Sequence, residues 1–225
     1  MQPDLHIVAD PAAAVGELLA EQARRGGSIV LTGGSSPADA YRRAAELQPD
    51  WGRVTLWWGD ERCVPRDDQR SNYRLAKETL LDGLETPPGE MHRIRGEAPP
   101  AEAAAELDTA LTNTALDFLL LGLGPDGHMA SLFPGSPQLD VTDRRATDGP
   151  AGLEPWVHRV TLTVPAIQSA RRIVFLVAGE TKADAVARAF GGDITPDVPA
   201  SLARLASTPV EVFLDEAAGS RLNGG

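Results

Sequence analysis

A chain of 225 residues with 32 acidic and 21 basic side chains carries a formal charge of −11. That charge argues against a general nucleic-acid binder, which needs lysine and arginine to replace phosphate counterions. A single cysteine, Cys63, leaves no intrachain disulfide and no cysteine-based zinc site.

The length suits one α/β domain over residues 1–225. With no basic-then-apolar leader and no run of about 18 apolar residues, the chain is expected to be soluble and cytoplasmic. A local basic pocket can still hold an anionic substrate against the global charge.

Apolar runs of strand length fall at residues 5–9, 28–31, 54–58, 116–121, 157–164, 173–178 and 210–214. Helical patterns lie among them at 12–24, 38–47, 72–81, 101–112 and 182–190. This alternation predicts an α/β fold, a doubly wound, mostly parallel sheet with helices on both faces. Residues 118–121 and 174–177 are apolar at every position, as strands buried on both faces are, and should form the middle of the sheet. Residues 135–155 are polar and rich in Gly, Pro and Asp, which predicts a long loop or an irregular hairpin over the sheet. The tail at 220–225 is expected to fray, and neither a repeat nor a linker divides the chain.

Three strand ends carry candidate chemistry. After the first, Thr32-Gly33-Gly34-Ser35-Ser36-Pro37 reads as a tight turn into a helix beginning near Pro37. Free amides, two hydroxyls and the positive end of the helix dipole would bind phosphate there; an ordinary turn with serine capping would use the same residues. The Gly-Lys-Ser/Thr ending of a Walker loop is missing. After Trp57-Trp58 come Gly59 and then Asp60-Glu61-Arg62. Such charges ordinarily face solvent, but the apolar strand before them and Val64-Pro65 after them make Arg62 a candidate partner for an oxyanion or phosphate. Cys63 reads as buried filler rather than nucleophile.

The third strand runs into Gly122-Leu123-Gly124-Pro125-Asp126-Gly127-His128. The match to a dinucleotide fingerprint is rejected, because Pro125 stiffens the turn and Pro134 and Pro137 cut off the long helix that would carry a pyrophosphate. His128 is a candidate general base, and Asp126 can orient its ring or hold a water. The plainer alternative is a capping histidine with Asp126 satisfying turn amides. Lys182, at a helix start, opposes the dipole unless an anion lies nearby. Arg159 projects from a strand, where a cross-strand ion pair is its ordinary role. His6, His92 and His158 have no metal-like spacing and read as structural or exposed.

As an ordered set, residues 32–37, 58–65 with Ser71-Asn72-Tyr73, 122–134, 159–165 and 179–182 resemble the 6-phosphogluconolactonase family. The resemblance implies a sugar-phosphate isomerase-like fold and hydrolysis of 6-phospho-D-glucono-1,5-lactone in the oxidative pentose phosphate pathway, with no metal and no organic cofactor. It implies His128, Arg62 and Asp126 as catalytic residues. It also implies that Gly33, Gly34, Ser35, Ser36, Asp60, Asn72, Arg159 and Lys182 bind the substrate and its phosphate.

The implied partner is a phosphorylated sugar lactone, with no nucleic acid and no membrane; the oligomeric state stays open. Glucosamine-6-phosphate deaminases share two of these motifs but continue with Phe-Asn-Glu-Pro, where this chain has Ser131-Leu132-Phe133-Pro134. A non-catalytic sugar-phosphate sensor would keep the phosphate turn and Lys182 but need neither His128 nor Arg62.

Overall fold

In the computed structural model, which describes residues 2–222, the chain begins with β1 (Asp4–Ile7), α1 (Pro11–Arg25), β2 (Gly27–Leu31), α2 (Ser35–Leu47), β3 (Val54–Trp58) and β4 (Asp60–Arg62). It continues through α3 (Asn72–Thr79), β5 (Glu90–His92), α4 (Pro100–Leu111), β6 (Phe118–Leu121), β7 (Ala146–Gly149) and β8 (Arg159–Leu162). The last elements are α5 (Val164–Gln168), β9 (Ile173–Val177), α6 (Ala183–Val186), β10 (Val210–Leu214) and α7 (Glu216–Gly219).

Seven strands form one sheet in the order β1-β10-β9-β6-β2-β3-β5. Every neighbouring pair in it is parallel. All residues of β6 and β9 are buried, and these two strands lie third and fourth from the β1 edge, in the middle of the sheet as their unbroken apolar runs predict. A reciprocal pair of bonds aligns β2 with β6 at their amino ends. The Ser28 amide donates to Asp117 Oδ2 at 2.9 Å, and the Asp117 amide donates to Ser28 Oγ at 2.7 Å.

The helices start where their chemistry directs. Asp10 Oδ1 accepts the Ala13 amide at 2.9 Å with Pro11 in the first turn of α1, and Gly26, at φ 81°, ends that helix. The second helix starts at Ser35, two residues before Pro37, behind Gly34 at φ 118°, and no side chain caps it. Its first amides therefore stay open to a ligand.

The segment expected as a further strand of the main sheet, 157–164, joins a different one. β8 pairs antiparallel with β4 and β7 in a three-stranded sheet. Gly59 is the junction: its amide donates to Leu31 O and its carbonyl accepts the Leu162 amide, each at 2.8 Å. Residues 135–155, expected as a long loop or an irregular hairpin, hold a single-turn helix at Pro137–Asp140 and then β7, which pairs antiparallel with β8 beyond that segment. Residues 180–191 coil as a tight turn, α6 and a wide π turn in place of one regular helix. Of the tail expected to fray, residues 223–225 lie outside the described residues. Among the described residues, no helix is long and apolar enough to cross a membrane.

At the end of β2, Tyr41 from α2 is fully buried; its hydroxyl donates to Thr32 O at 2.6 Å and accepts the Thr32 amide at 2.9 Å. Burial pushes the phenol well above its usual range, despite the favourable bond to Thr32. Tyr41→Phe would leave both Thr32 backbone groups buried without their bonds. A loss of about 1–3 kcal/mol of unfolding free energy is expected, read from urea denaturation of the two proteins.

Candidate active site

The strand order reverses direction beside β2. From β2 the chain steps to β3 and β5 on one side, then returns through β6 on the other and goes on to β9. Open parallel sheets place ligands at the carboxyl ends of strands at such a reversal. A cavity of about 420 Å³ occupies that position, lined by the turn after β2 and the turn after β6. Gly33, Gly34, Ser35, Ser36, Asp60, Arg62, Asn72, His128 and Lys182 all line it.

The turn after β6 sets the histidine. His128 Nδ1 lies 2.6 Å from Asp126 Oδ1, which also accepts the His128 amide at 3.1 Å. A carboxylate on Nδ1 favours the tautomer with its proton there, leaving Nε2 with a lone pair. Burial pushes the Asp126 carboxyl up, but its bond to His128 and the attraction of that ring outweigh burial, so it sits below the usual range. A Cβ on Gly124 would lie 2.0 Å from His128 Nδ1, so only glycine lets the ring fold back over the turn. Phe133 flanks the imidazole with ring centroids 4.6 Å apart.

The strand β4 carries a denser polar cluster. Asp60 Oδ2 accepts the Ser131 hydroxyl at 2.6 Å, and Asn72 Nδ2 donates to Asp60 Oδ1 at 3.0 Å and to Asp60 O at 2.9 Å. Asn72 is 1% exposed, and its Oδ1 occupies the space beside Gly33 where a Cβ would stand only 2.1 Å away. The strand end, the first turn of α3 and the phosphate-like turn are thus in direct contact.

Glu61 is the residue that sequence reasoning passed over as one charge of three. It is 3% exposed. Its Oε1 accepts the amides of Arg62 at 2.7 Å and Asn72 at 2.8 Å; its Oε2 accepts the Tyr73 amide at 2.8 Å and the Ser71 hydroxyl at 3.0 Å. Burial pushes its carboxyl above the usual range, while these bonds pull the other way. A signal was present in the Ser71-Asn72 helix start ten residues on, a cluster of donors for an acid.

Arg62 donates through Nη1 to Arg70 O at 2.5 Å, and its Nε is buried without a partner. Arg159 departs from expectation. It stands opposite Arg62 in the β4–β8 register, is 3% exposed, and is not among the cavity-lining residues. Its guanidinium turns instead to Pro155 O at 2.9 Å and Leu153 O at 3.5 Å, so it braces a loop whose Leu153 and Glu154 form part of the cavity wall. Burial, with the repulsion of Arg62, lowers its pKa. Lys182 does line the cavity, with Nζ donating to Leu123 O at 2.8 Å; burial holds its ammonium below the usual range against the pull of Asp126. An ammonium has three donors, so two remain for an anion.

The remaining histidines are engaged elsewhere. His92 stacks on Trp57 with centroids 3.9 Å apart, His6 stacks on Phe213 at 4.5 Å, and His158 Nε2 meets Asp148 at 2.9 Å. Among the described residues, no group of three or more histidine, cysteine or carboxylate side chains is clustered to hold a metal ion.

The family described as glucosamine-6-phosphate isomerases/6-phosphogluconolactonases matches residues 6–212. A curated 6-phosphogluconolactonase from Streptomyces coelicolor is 38% identical over 242 aligned positions, covering 97% of this chain and 92% of that protein. The solved 6-phosphogluconolactonase of Trypanosoma brucei superposes with a TM-score of 0.84 at 27% identity, covering 98% of this chain and 99% of that one. A monomeric glucosamine-6-phosphate deaminase shares the fold with a TM-score of 0.83 at 22% identity.

Cys63 is half-buried beside this cluster, and burial, together with the charges of Asp148 and Glu61, pushes its thiol up to about 11. At pH 8 only about one thiol in a thousand would be ionised. Iodoacetamide at that pH should leave the folded protein unmodified over times that fully alkylate it in urea, as followed by intact mass.

Proposed function

The chain belongs to the glucosamine-6-phosphate isomerase/6-phosphogluconolactonase family, and on that premise we infer that it hydrolyses 6-phospho-D-glucono-1,5-lactone to 6-phospho-D-gluconate, the second step of the oxidative pentose phosphate pathway. It is an enzyme of sugar-phosphate metabolism, a carboxylic ester hydrolase acting on a lactone. The observation that carries the reading is the Asp126–His128 pair at 2.6 Å in a cavity shared with Arg62 and Lys182. A sensor of sugar phosphates would need only the Lys182 side of that cavity.

In the mechanism we favour, the phosphate of the lactone lies on the open amides at the start of α2, with the hydroxyls of Ser35 and Ser36 and the ammonium of Lys182 around it. Gly33 and Gly34 let the backbone approach the phosphate closely. Anchoring that end sets the ring at a fixed distance from the histidine. Asp60, held by Asn72 and Ser131, accepts from sugar hydroxyls.

Neutral His128 takes a proton from water through Nε2, with Asp126 stabilising the imidazolium that forms. The hydroxide attacks C1, and Arg62 stabilises the negative oxygen of the tetrahedral intermediate. As the C1–O5 bond breaks, His128 returns its proton to O5, giving the open acid. Arg159 has no part at the phosphate in this scheme. The whole of residues 1–225 is taken as one catalytic domain acting in the cytoplasm.

His128→Asn keeps polarity but cannot accept a proton at neutral pH. It should lower kcat by about 10²-fold or more while 6-phosphogluconate still binds, measured by lactone hydrolysis corrected for spontaneous opening and by calorimetry. Near-normal turnover by the variant would remove His128 as the base.

Arg62→Ala should lower kcat and kcat/KM together by about 10²- to 10³-fold, because the charge it meets develops only in the transition state. Lys182→Ala should act mainly on KM, raising it by about tenfold, since the phosphate charge barely changes during reaction. Steady-state kinetics giving the reverse pattern would mean that the lactone lies the other way round.

A further inference from the structure

Glu61 does not line the cavity, yet it touches the backbone of two residues that do. Capping of α3 accounts for only part of this. Ser71 already caps that helix, its Oγ accepting the Arg74 amide at 3.1 Å. One of the four donors to Glu61, the amide of Arg62, belongs to β4 and not to the helix at all. The carboxylate therefore joins two separate stretches of chain, 60–62 and 71–73, that would otherwise meet only through Asn72 and Asp60.

Both oxygens of Glu61 are engaged by two donors each. Only an ionised carboxylate offers acceptors on both sides; a glutamine of the same size would turn an NH2 group against at least one backbone N–H in either orientation. A buried, fully satisfied carboxylate of this kind is a rigid clasp, because each bond to a charged acceptor is stronger than a neutral one and none is exchanged with water.

We propose that Glu61 is a positioning residue for Arg62, fixing the strand that carries the guanidinium to the start of α3. The inference rests on the reading of Arg62 as the group that stabilises the oxyanion. On that reading Arg62 must be aimed before charge develops, and its Nη1 bond to Arg70 O fixes only the far end of the side chain. Glu61 fixes the near end, at the backbone. The consequence is a defect in kcat without a matching defect in KM.

The test is a double-mutant cycle of Glu61→Gln with Arg62→Ala, assayed for lactone hydrolysis after subtraction of the spontaneous reaction. Alone, Glu61→Gln should lower kcat by about 10- to 100-fold, the span of hydrogen bonds to a charged group, with KM changed less than about threefold. Added to Arg62→Ala, it should lower kcat by no more than about twofold further, because there is no guanidinium left to position.

Equal losses in both backgrounds would overturn the proposal and leave Arg62 in its role. Should Arg62→Ala by itself leave kcat unchanged, the reading of Arg62 falls and the proposal with it; that single variant separates the two failures. If Glu61→Gln yields no folded protein, Ser71→Ala takes its place, removing one donor while keeping the carboxylate. It should cost about two- to fivefold in kcat with Arg62 present and nothing measurable without it; equal losses again overturn the proposal.

Discussion

Everything at this site depends on two neighbouring parallel strands, β2 and β6, whose following segments diverge. Because their carboxyl ends lie side by side and the chain leaves them in opposite directions, no connection can cover the gap between the two turns. The gap is the cavity. Burial holds the strands in place: β6 is the central strand, with four apolar residues fully inaccessible, and Asp117 and Ser28 fix its alignment with β2. A shift of one residue would turn Leu121 and the glycine turn to the other face, so the register of the core is also the register of the chemistry.

On this frame the charges are arranged against the protein's overall sign. A chain of formal charge −11 brings Arg62, Lys182 and His128 to one cavity, with Arg159 directly behind Arg62. Like charges facing each other across two antiparallel strands repel, and removing a guanidinium from water adds to the cost. The buried carboxylates of Asp60 and Glu61 offset both effects. Their position matters more than their number: Glu61 holds two donors on each oxygen and Asp60 one on each, so both are tied to their own surroundings. On the proposed mechanism the guanidinium then waits for an anion that arrives with the substrate, which is what preorganisation of a site means in electrostatic terms.

What could be read from the sequence was local. The apolar runs of β6 and β9, the glycine turn before His128, and the open helix start after Gly34 each declare themselves within about ten residues, through side-chain period and turn chemistry. The Asp126–His128 contact spans two residues and was legible for the same reason. Long-range pairings were not. The alternation at 157–164 marks a strand but says nothing about which sheet takes it, and β8 found its neighbours in β4 and β7. With β8 went Arg159, whose side chain is spent on carbonyls of the 153–155 loop and not on the cavity. Glu61 was illegible as an individual because its meaning lies in four donors, three of them supplied by residues 71–73.

Some of the buried side-chain polar atoms without a hydrogen-bond partner among the described residues gather near the cavity, while others, such as Ser136 Oγ and Gln138 Oε1, lie elsewhere. Arg62 Nε, Asn72 Oδ1 and Arg159 Nε are all buried without hydrogen-bond partners, and all three lie in the cluster around β4 and the start of α3. A core selected only for stability would pair or remove such groups, since each orphaned buried group costs about 1–3 kcal/mol. The cavity wall holds two glycine contacts that tolerate no Cβ, Gly33 against Asn72 and Gly124 against His128. In each case the backbone yields its own side-chain space to a polar group on the cavity wall. Stability is therefore given up at the positions where aim matters. The carboxyl ends of β2, β3 and β6 thus carry tight geometric constraints of their own, apart from the packing of the hydrophobic core.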